Sequence, residues 1–136
     1  WRRSLQMFGL MLRHAKFAPV LCTTQPDRSR EFYVEKLGLE FVRQEPRALV
    51  LRGDRRYLRL QVVDKMPASF GAAFGWEVED LEAKVEALAR RGVHVERYEG
   101  LPQNERGIAT FGNGDRVAWF LDPDGNVLSL AELVPA

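Results

Sequence analysis

The sequence predicts an α+β fold in which two βαβββ repeats form a half-open, cleft-containing curved sheet. Apolar runs of strand length alternate along the chain with amphipathic runs of helical period. The order strand–helix–strand–strand–strand is found in residues 17–63 and again in residues 72–133. One helix covers only one face of such a sheet, so two repeats side by side can curl their sheets around a concave cleft.

The first repeat opens with a predicted strand at 17–24, in which Pro19 suggests a sheet edge. Asp27 or Ser29 can cap the next helix, which we expect to run to Leu37 and to end at Gly38. Three predicted strands follow, at 39–44, 48–52 and 57–63. Alternation in the third places Leu58, Leu60 and Val62 on one face, and Tyr57, Arg59 and Gln61 on the other.

The second repeat follows a linker at 64–70 and opens with a predicted strand at 72–78. Asp80 can cap a helix that buries Leu81, Val85 and Leu88 and ends at Gly92. Further strands are predicted at 93–98, 108–111, 116–121 and 127–131. The last two are joined by residues 122–126, DPDGN, in which proline presets one turn position and glycine supplies backbone freedom.

Composition and charge exclude several classes of protein. The 136 residues carry 20 basic and 19 acidic side chains, a net charge of +1, which argues against nucleic-acid binding and a polybasic membrane anchor. No apolar run approaches the ~20 residues that a membrane span needs. The single cysteine, Cys22, excludes an intrachain disulfide and fits a reducing compartment, so we expect a cytoplasmic protein.

Residues 1–15 are predicted to be an N-terminal extension or leader, and residues 16–136 a single domain. Trp1, Leu5, Phe8 and Leu12 have helical spacing, so a short amphipathic helix is expected in this segment. A secretory signal peptide is not expected, because the apolar stretch is short and no small-residue cleavage site follows it.

Three motifs resemble those of the vicinal oxygen chelate superfamily. Residues 32–41, FYVEKLGLEF, resemble its first helix and turn, and residues 77–81, EVEDL, with 87–93, ALARRGV, resemble its second helix. The DPDGN turn resembles its last hairpin. The superfamily includes glyoxalase I, extradiol dioxygenases, fosfomycin-resistance thiol transferases and bleomycin-resistance proteins. The resemblance covers about residues 17–133 and implies the cleft-containing fold and a homodimer, but this fold hosts many chemistries.

Members of that superfamily that perform chemistry typically hold a divalent metal with His, Gln or Glu side chains from four strands. Aligned on the motifs, these positions fall on Ala18, Arg59, Ala73 and Ser129 in this chain. Alanine has no donor atom, serine is a poor ligand for Zn, Ni or Fe, and arginine adds positive charge. We therefore expect no metal site of the family type and no cofactor.

Several side chains are candidates for binding a small organic molecule in the cleft. Arg59 could grip a carboxylate or phosphate, or instead pair with an acidic neighbour. Trp119 could form a flat apolar wall, or simply pack in the core. The same strand faces carry the remaining candidates, which are Gln61, Cys22, Val117 and Ser129.

The function expected from these residues is metal-free binding or sequestration of an anionic or neutral aromatic small molecule. One alternative is an enzyme. It could be a glyoxalase-type lyase or isomerase, a dioxygenase-like enzyme, or a metal-independent enzyme that uses Glu77 or Cys22. Another alternative is a structural or regulatory dimer module whose cleft is filled by side chains. An open pocket of several hundred Å³ would argue against this last possibility.

Overall fold

Two four-stranded sheets form the framework of the computed structural model, which describes residues 11–68 and 71–135. The first sheet has the spatial order β1-β4-β3-β2 and contains β1 (Val20–Thr23), β2 (Glu40–Glu45), β3 (Ala48–Gly53) and β4 (Arg56–Val62). The second has the order β5-β8-β7-β6 and contains β5 (Phe74–Glu77), β6 (Ala109–Thr110), β7 (Arg116–Leu121) and β8 (Val127–Glu132). In each sheet the first and last strands pair in parallel and the other pairs are antiparallel, which confirms the two βαβββ repeats.

Each repeat carries one helical segment between its first and second strands. Helix α1 (Pro26–Arg30) continues as a π-helical segment, Glu31–Lys36, and α2 spans Leu81–Arg90. The prediction that Asp27 or Ser29 caps the first helix is wrong. The helix begins at Pro26 instead, because the fixed φ of proline suits the first helical position, where no N–H bond is lost. Asp80 caps α2 as predicted and accepts a hydrogen bond from the Ala83 N–H at 3.4 Å.

The helical segments cover one face of each sheet, and the core lies between them. Tyr33 and Phe120 are fully or almost fully buried there, together with the β4 leucines that alternation predicted, Leu58 and Leu60. The opposite face of each sheet, here called the open face, carries the alternate residues of the same strands. The predicted core and the predicted open face of β4 are therefore both correct.

The predicted strand at 93–98 is wrong. This segment is extended, but in the described part of the chain it joins no ladder. Its only backbone bond to a strand runs from the Glu96 N–H to the Trp119 carbonyl, at 2.7 Å. Side chains supply further bonds: Gln103 donates from Nε2 to the Glu96 carbonyl at 2.9 Å, and Arg97 donates to the Asn104 carbonyl at 3.0 Å. Without this strand, the second repeat has three strands after its helix, as the βαβββ pattern requires.

The DPDGN turn joins the second sheet to the start of the first repeat. The Asp124 carboxylate accepts bonds from the Thr23 hydroxyl (2.6 Å) and from both the N–H and the hydroxyl of Thr24 (2.9 and 2.6 Å). Asn126 donates from Nδ2 to the Cys22 carbonyl at 3.0 Å. The Tyr33 hydroxyl donates to Asp122 at 2.7 Å. These contacts join residues about a hundred positions apart and fix the two repeats to each other.

None of the described helices is long and apolar enough to span a membrane. The amphipathic helix expected around Trp1, Leu5 and Phe8 lies outside the described residues. The division into an extension at 1–15 and a domain at 16–136 stays a prediction.

Candidate functional site

A row of side chains crosses the open face of the first sheet. Arg43, Val50, Arg59 and Val20 are neighbours in register on β2, β3, β4 and β1. Val50 is buried, so the two guanidinium groups flank an apolar floor.

Arg43 reaches this face because of a bulge in β2. Strict alternation would put Phe41 and Arg43 on the same face, but the register shifts between them, so that Phe41 opposes Leu51 and Arg43 opposes Val50. Phe41 consequently lies on the helix side, where the Arg30 guanidinium stacks 3.6 Å from its ring centre. Such bulges re-aim side chains, and this one adds a second arginine to the open face beside Arg59.

The hairpin between β3 and β4 carries two more arginines. Its two central residues, Asp54 and Arg55, have φ angles of 48° and 63°, the left-handed conformation of a two-residue turn. Glycine or asparagine usually occupies such positions, and an arginine there has a steric cost. The tight turn places Arg55 beside the open face, and both Arg55 and Arg56 line the pocket described next.

These elements enclose an open pocket of about 650 Å³, here called the basic pocket. Its lining includes the apolar or aromatic side chains of Phe17, Val50 and Tyr57, and Phe17 and Tyr57 are 95% and 49% exposed. Its charged lining consists of five basic side chains and one acidic one: Lys16, Arg43, Arg55, Arg56, Arg59 and Asp54.

Glu45 neutralises part of this charge. It accepts from Arg59 at 2.6 Å and from Arg43 at 2.9 Å, and these hydrogen bonds hold the pKa of its carboxyl below its usual range. Lys16, Arg55 and Arg56 form no ion pair among the described residues. Five positive charges against Asp54 and Glu45 leave an excess of three, so the basic pocket favours an anion.

The open face of the second sheet has a different character. Trp119, Ser129 and Gly75 form a row across β7, β8 and β5. Tyr98 and Phe111 lie edge-on to the Trp119 indole, with ring centres 5.8 and 6.5 Å away. This face is therefore aromatic around Trp119.

The predicted ligand-binding residues fall into two separate groups. Arg59 and Gln61 line an opening of about 540 Å³ that adjoins the basic pocket, and Cys22 is the register neighbour of Gln61 on the same face. Trp119, Val117 and Ser129 share the open face of the second sheet, and none of these three lines either cavity around Arg59. Arg59 pairs with Glu45, as the alternative of an acidic neighbour predicted, and its side chain is 40% exposed beside the pocket.

The positions aligned with the family's metal ligands do not fit a metal ion. Ala18 and Arg59 line the basic pocket together, and Ala73 and Ser129 belong to the other sheet. Two of these residues have no side-chain donor atom, and the Arg59 guanidinium would repel a cation. Within residues 11–68 and 71–135, no group of three or more His, Cys, Asp and Glu side chains could hold a metal ion.

The two weak catalytic candidates, Glu77 and Cys22, lie in different sheets and do not contact each other. Glu77 ends β5 on the open face of the second sheet, while Cys22 is half-buried in β1 of the first. His94 is exposed near the exit of α2 and lines a different cavity on the helix side. No base adjoins Cys22 among the hydrogen bonds of the described residues, so the arrangement shows no nucleophile–base pair.

Four of the basic residues that line the pocket were missed by reasoning from the sequence: Lys16, Arg43, Arg55 and Arg56. A signal existed for two of them, because Arg55 and Arg56 lie between the predicted strands 48–52 and 57–63, close in sequence to Arg59. None existed for Arg43, whose face depends on the bulge.

A family model matches residues 12–130, and its description is the Glyoxalase/Bleomycin resistance protein/Dioxygenase superfamily. The chain belongs to this superfamily. The match covers most of the chain, and it agrees with the paired βαβββ sheets described above. The comparison with curated proteins finds no match.

Several solved structures resemble the chain over most of its length. The protein SMU.1112c is 26% identical with a TM-score of 0.67, and the match covers 87% of this chain and 98% of that one. A glyoxalase family protein from Enterococcus faecalis is 24% identical with a TM-score of 0.69, covering 89% and 100%. A lactoylglutathione lyase from Agrobacterium tumefaciens is 20% identical with a TM-score of 0.66, covering 88% and 93%. At such identities the last two likenesses establish the shared fold alone.

Proposed function

We propose that this member of the superfamily binds a small anionic organic molecule in the basic pocket, without a metal ion, and sequesters it. The observation that carries the proposal is the excess of three positive charges around an open pocket of about 650 Å³. That volume lies in the range of small-molecule sites, which favours a binding protein over a module with a filled cleft. The single cysteine fits a cytoplasmic location.

The lining suggests the chemical class of the ligand. Val50 offers an apolar floor, and the exposed rings of Phe17 and Tyr57 offer flat surfaces for an aromatic or conjugated group. Exposed guanidinium groups bind carboxylates and phosphates through paired N–H donors. An aromatic carboxylate or phosphate satisfies both parts of the pocket.

The proposed functional form is a homodimer. Proteins of this superfamily often form dimers, and the predicted ligand-binding residues of one chain are divided between two open faces. We propose that the aromatic face around Trp119 of one protomer covers the basic pocket of its partner. Trp119→Lys places a positive charge against the partner's basic pocket, so it should shift the sedimentation coefficient toward that of a monomer and weaken ligand binding. Phe111→Lys, at the edge of the same face, should have a smaller effect on both.

The pocket is tested by a pair of glycine substitutions at the β3–β4 hairpin. Arg55→Gly removes one positive charge and relieves a left-handed non-glycine residue, so it should raise thermal stability slightly while weakening binding. Asp54→Gly relieves the same kind of strain but removes the pocket's acidic side chain, so it should strengthen binding. Each change in affinity is expected to be about two- to fivefold, as for a single partly exposed charge.

The measurement is isothermal titration calorimetry of the full chain with phenyl phosphate, a monocyclic aromatic dianion. Because both variants are expected to fold at least as well as the parent, a loss of binding in Arg55→Gly cannot be attributed to misfolding. Equal affinities in the two variants, or stronger binding by Arg55→Gly, would show that the pocket charge does not select the ligand.

A further inference from the structure

A second cavity lies on the opposite side of the molecule, between the two helical segments. It has a volume of about 210 Å³, and it is here called the helix-side groove. Its floor is formed by Trp76, Phe120 and Leu130 of the second sheet, and the Trp76 and Phe120 rings stack with centres 6.4 Å apart. Leu37 closes one wall and Ala87 of α2 the other. The groove is thus an apolar slot with an aromatic base.

Three basic side chains surround this slot. Lys84 belongs to α2, Arg91 directly follows the end of that helix, and Lys36 ends the facing helical segment. Lys84 donates to the Glu79 backbone carbonyl at 3.1 Å. The ion pairs found among the described residues include none of these three cations.

The two acidic residues of α2 form ion pairs with arginines that do not line the groove. Glu82 pairs with Arg116, and Glu86 pairs with Arg106. Lys84 and Arg91 therefore lie beside the groove without an acidic partner among the described residues. The result is an apolar slot with positive charge at its rim.

We infer that the helix-side groove is a second binding site, for a small carboxylate with one aromatic ring or a compact branched aliphatic group. The apolar part would lie on Trp76 and the carboxylate would face Lys84 and Arg91. Size supports a single ring, because an apolar cavity of about 150 Å³ is enough to hold benzene. The groove is lined by none of the residues of the basic pocket, so this inference does not depend on the proposed function.

The test is a titration of the ¹⁵N-labelled full chain with benzoate, followed by heteronuclear NMR. We expect saturable shifts of the Trp76 indole N–H and of the Leu37 and Ala87 amides, with a dissociation constant on the order of 1 mM for so small a ligand. Benzyl alcohol, which has a similar size but no charge, should bind about three- to tenfold more weakly.

Two pairs of variants separate the groove from other surfaces. Ala87→Leu fills the slot and should abolish the shifts, whereas Ala89→Leu, exposed on another face of α2, should preserve them. Arg91→Gln should weaken benzoate binding about threefold or more, whereas Arg90→Gln, outside the groove, should not.

Shifts confined to Arg55 and Arg59 would mean that benzoate binds only in the basic pocket, and they would overturn the inference. So would equal affinities for benzoate and benzyl alcohol, or unchanged shifts in Ala87→Leu. Because phenyl phosphate binding is measured separately on Arg55→Gly, failure at the groove is distinguishable from failure of the proposed function.

Discussion

The DPDGN turn offers the sharpest test of how the two repeats are held together. Asp124 is the residue to change, because its carboxylate binds Thr23 and Thr24 at the end of β1. Asp124→Ala removes these bonds while leaving Pro123 and Gly125 to form the turn. The expected result is a less stable protein with an unchanged hairpin.

The size of the effect follows from the burial of each partner. The Thr23 hydroxyl is fully buried, and a hydrogen bond from it to a charged group is worth about 1.5–3 kcal/mol. The two bonds from Thr24 are exposed, and each contributes about a few tenths of a kcal/mol. Asp124→Ala should therefore lower the free energy of unfolding by about 2–4 kcal/mol.

Urea unfolding followed by tryptophan fluorescence measures this change. Asp64→Ala is the matched control, because Asp64 is exposed and forms no hydrogen bond among the described residues; it should change stability by less than about 0.5 kcal/mol. Equal effects of the two substitutions would refute the claim that this carboxylate joins the repeats.

The same carboxylate predicts a pH dependence with a definite sign. Burial raises the pKa of Asp124, but the bonds from Thr23 and Thr24 outweigh burial and hold it below its usual range. A lowered folded pKa contributes stability above the unfolded pKa of about 3.9, and this stability is lost as pH falls through the folded pKa. The advantage of the parent over Asp124→Asn should thus be constant near neutrality and shrink below about pH 4. A difference that grows on acidification would contradict this assignment.

Three further predictions concern other contacts. Tyr33→Phe should lower the free energy of unfolding by about 1–2 kcal/mol, because it removes a buried hydrogen bond to Asp122. Burial and, after it, the nearby Asp122 carboxylate raise the pKa of Tyr33. Ultraviolet absorbance should therefore show no ionisation of Tyr33 before the protein unfolds in alkali. Gly75→Ala should lower the melting temperature, because its Cβ would lie 2.1 Å from Ser129 Oγ and 2.9 Å from the Ser129 carbonyl; an unchanged melting temperature would contradict that packing. Phenyl phosphate binding should weaken severalfold as ionic strength rises from about 0.01 to 0.15 M, because the Debye length falls from about 30 to 8 Å; salt-independent calorimetry would argue against a charge-driven site.

Local patterns were enough to predict most of the framework. The alternation of β4 placed Leu58 and Leu60 in the core and Arg59 on the open face, because a strand has a fixed period of two. The Asp80 cap was recognisable because a capping side chain acts on a backbone N–H three residues away. The segment 93–98 was mistaken for a strand because its apolar residues alternate, while hydrogen-bond pairing depends on a neighbour that sequence alone does not reveal.

The site was less predictable because its parts are brought together by irregular or distant contacts. Arg43 reaches the open face only through the bulge after Phe41, and a bulge reverses the alternation from which faces are inferred. The partner of Arg59 is Glu45, which lies one residue beyond the predicted strand 39–44 although it is the last residue of β2. The bonds of Asp124 to Thr23 and Thr24 span about a hundred residues, and no local pattern predicts them.

The most direct test of the proposed function is native mass spectrometry of the full chain purified without added metal. Metal-free binding of a small anion predicts a dimer that retains an organic adduct, with the adduct reduced in Arg55→Gly and with no divalent ion. One Zn, Ni, Fe or Mn ion bound per protomer of the parent protein would contradict the claim, because the residues at Ala18, Arg59, Ala73 and Ser129 offer no ligand set for it.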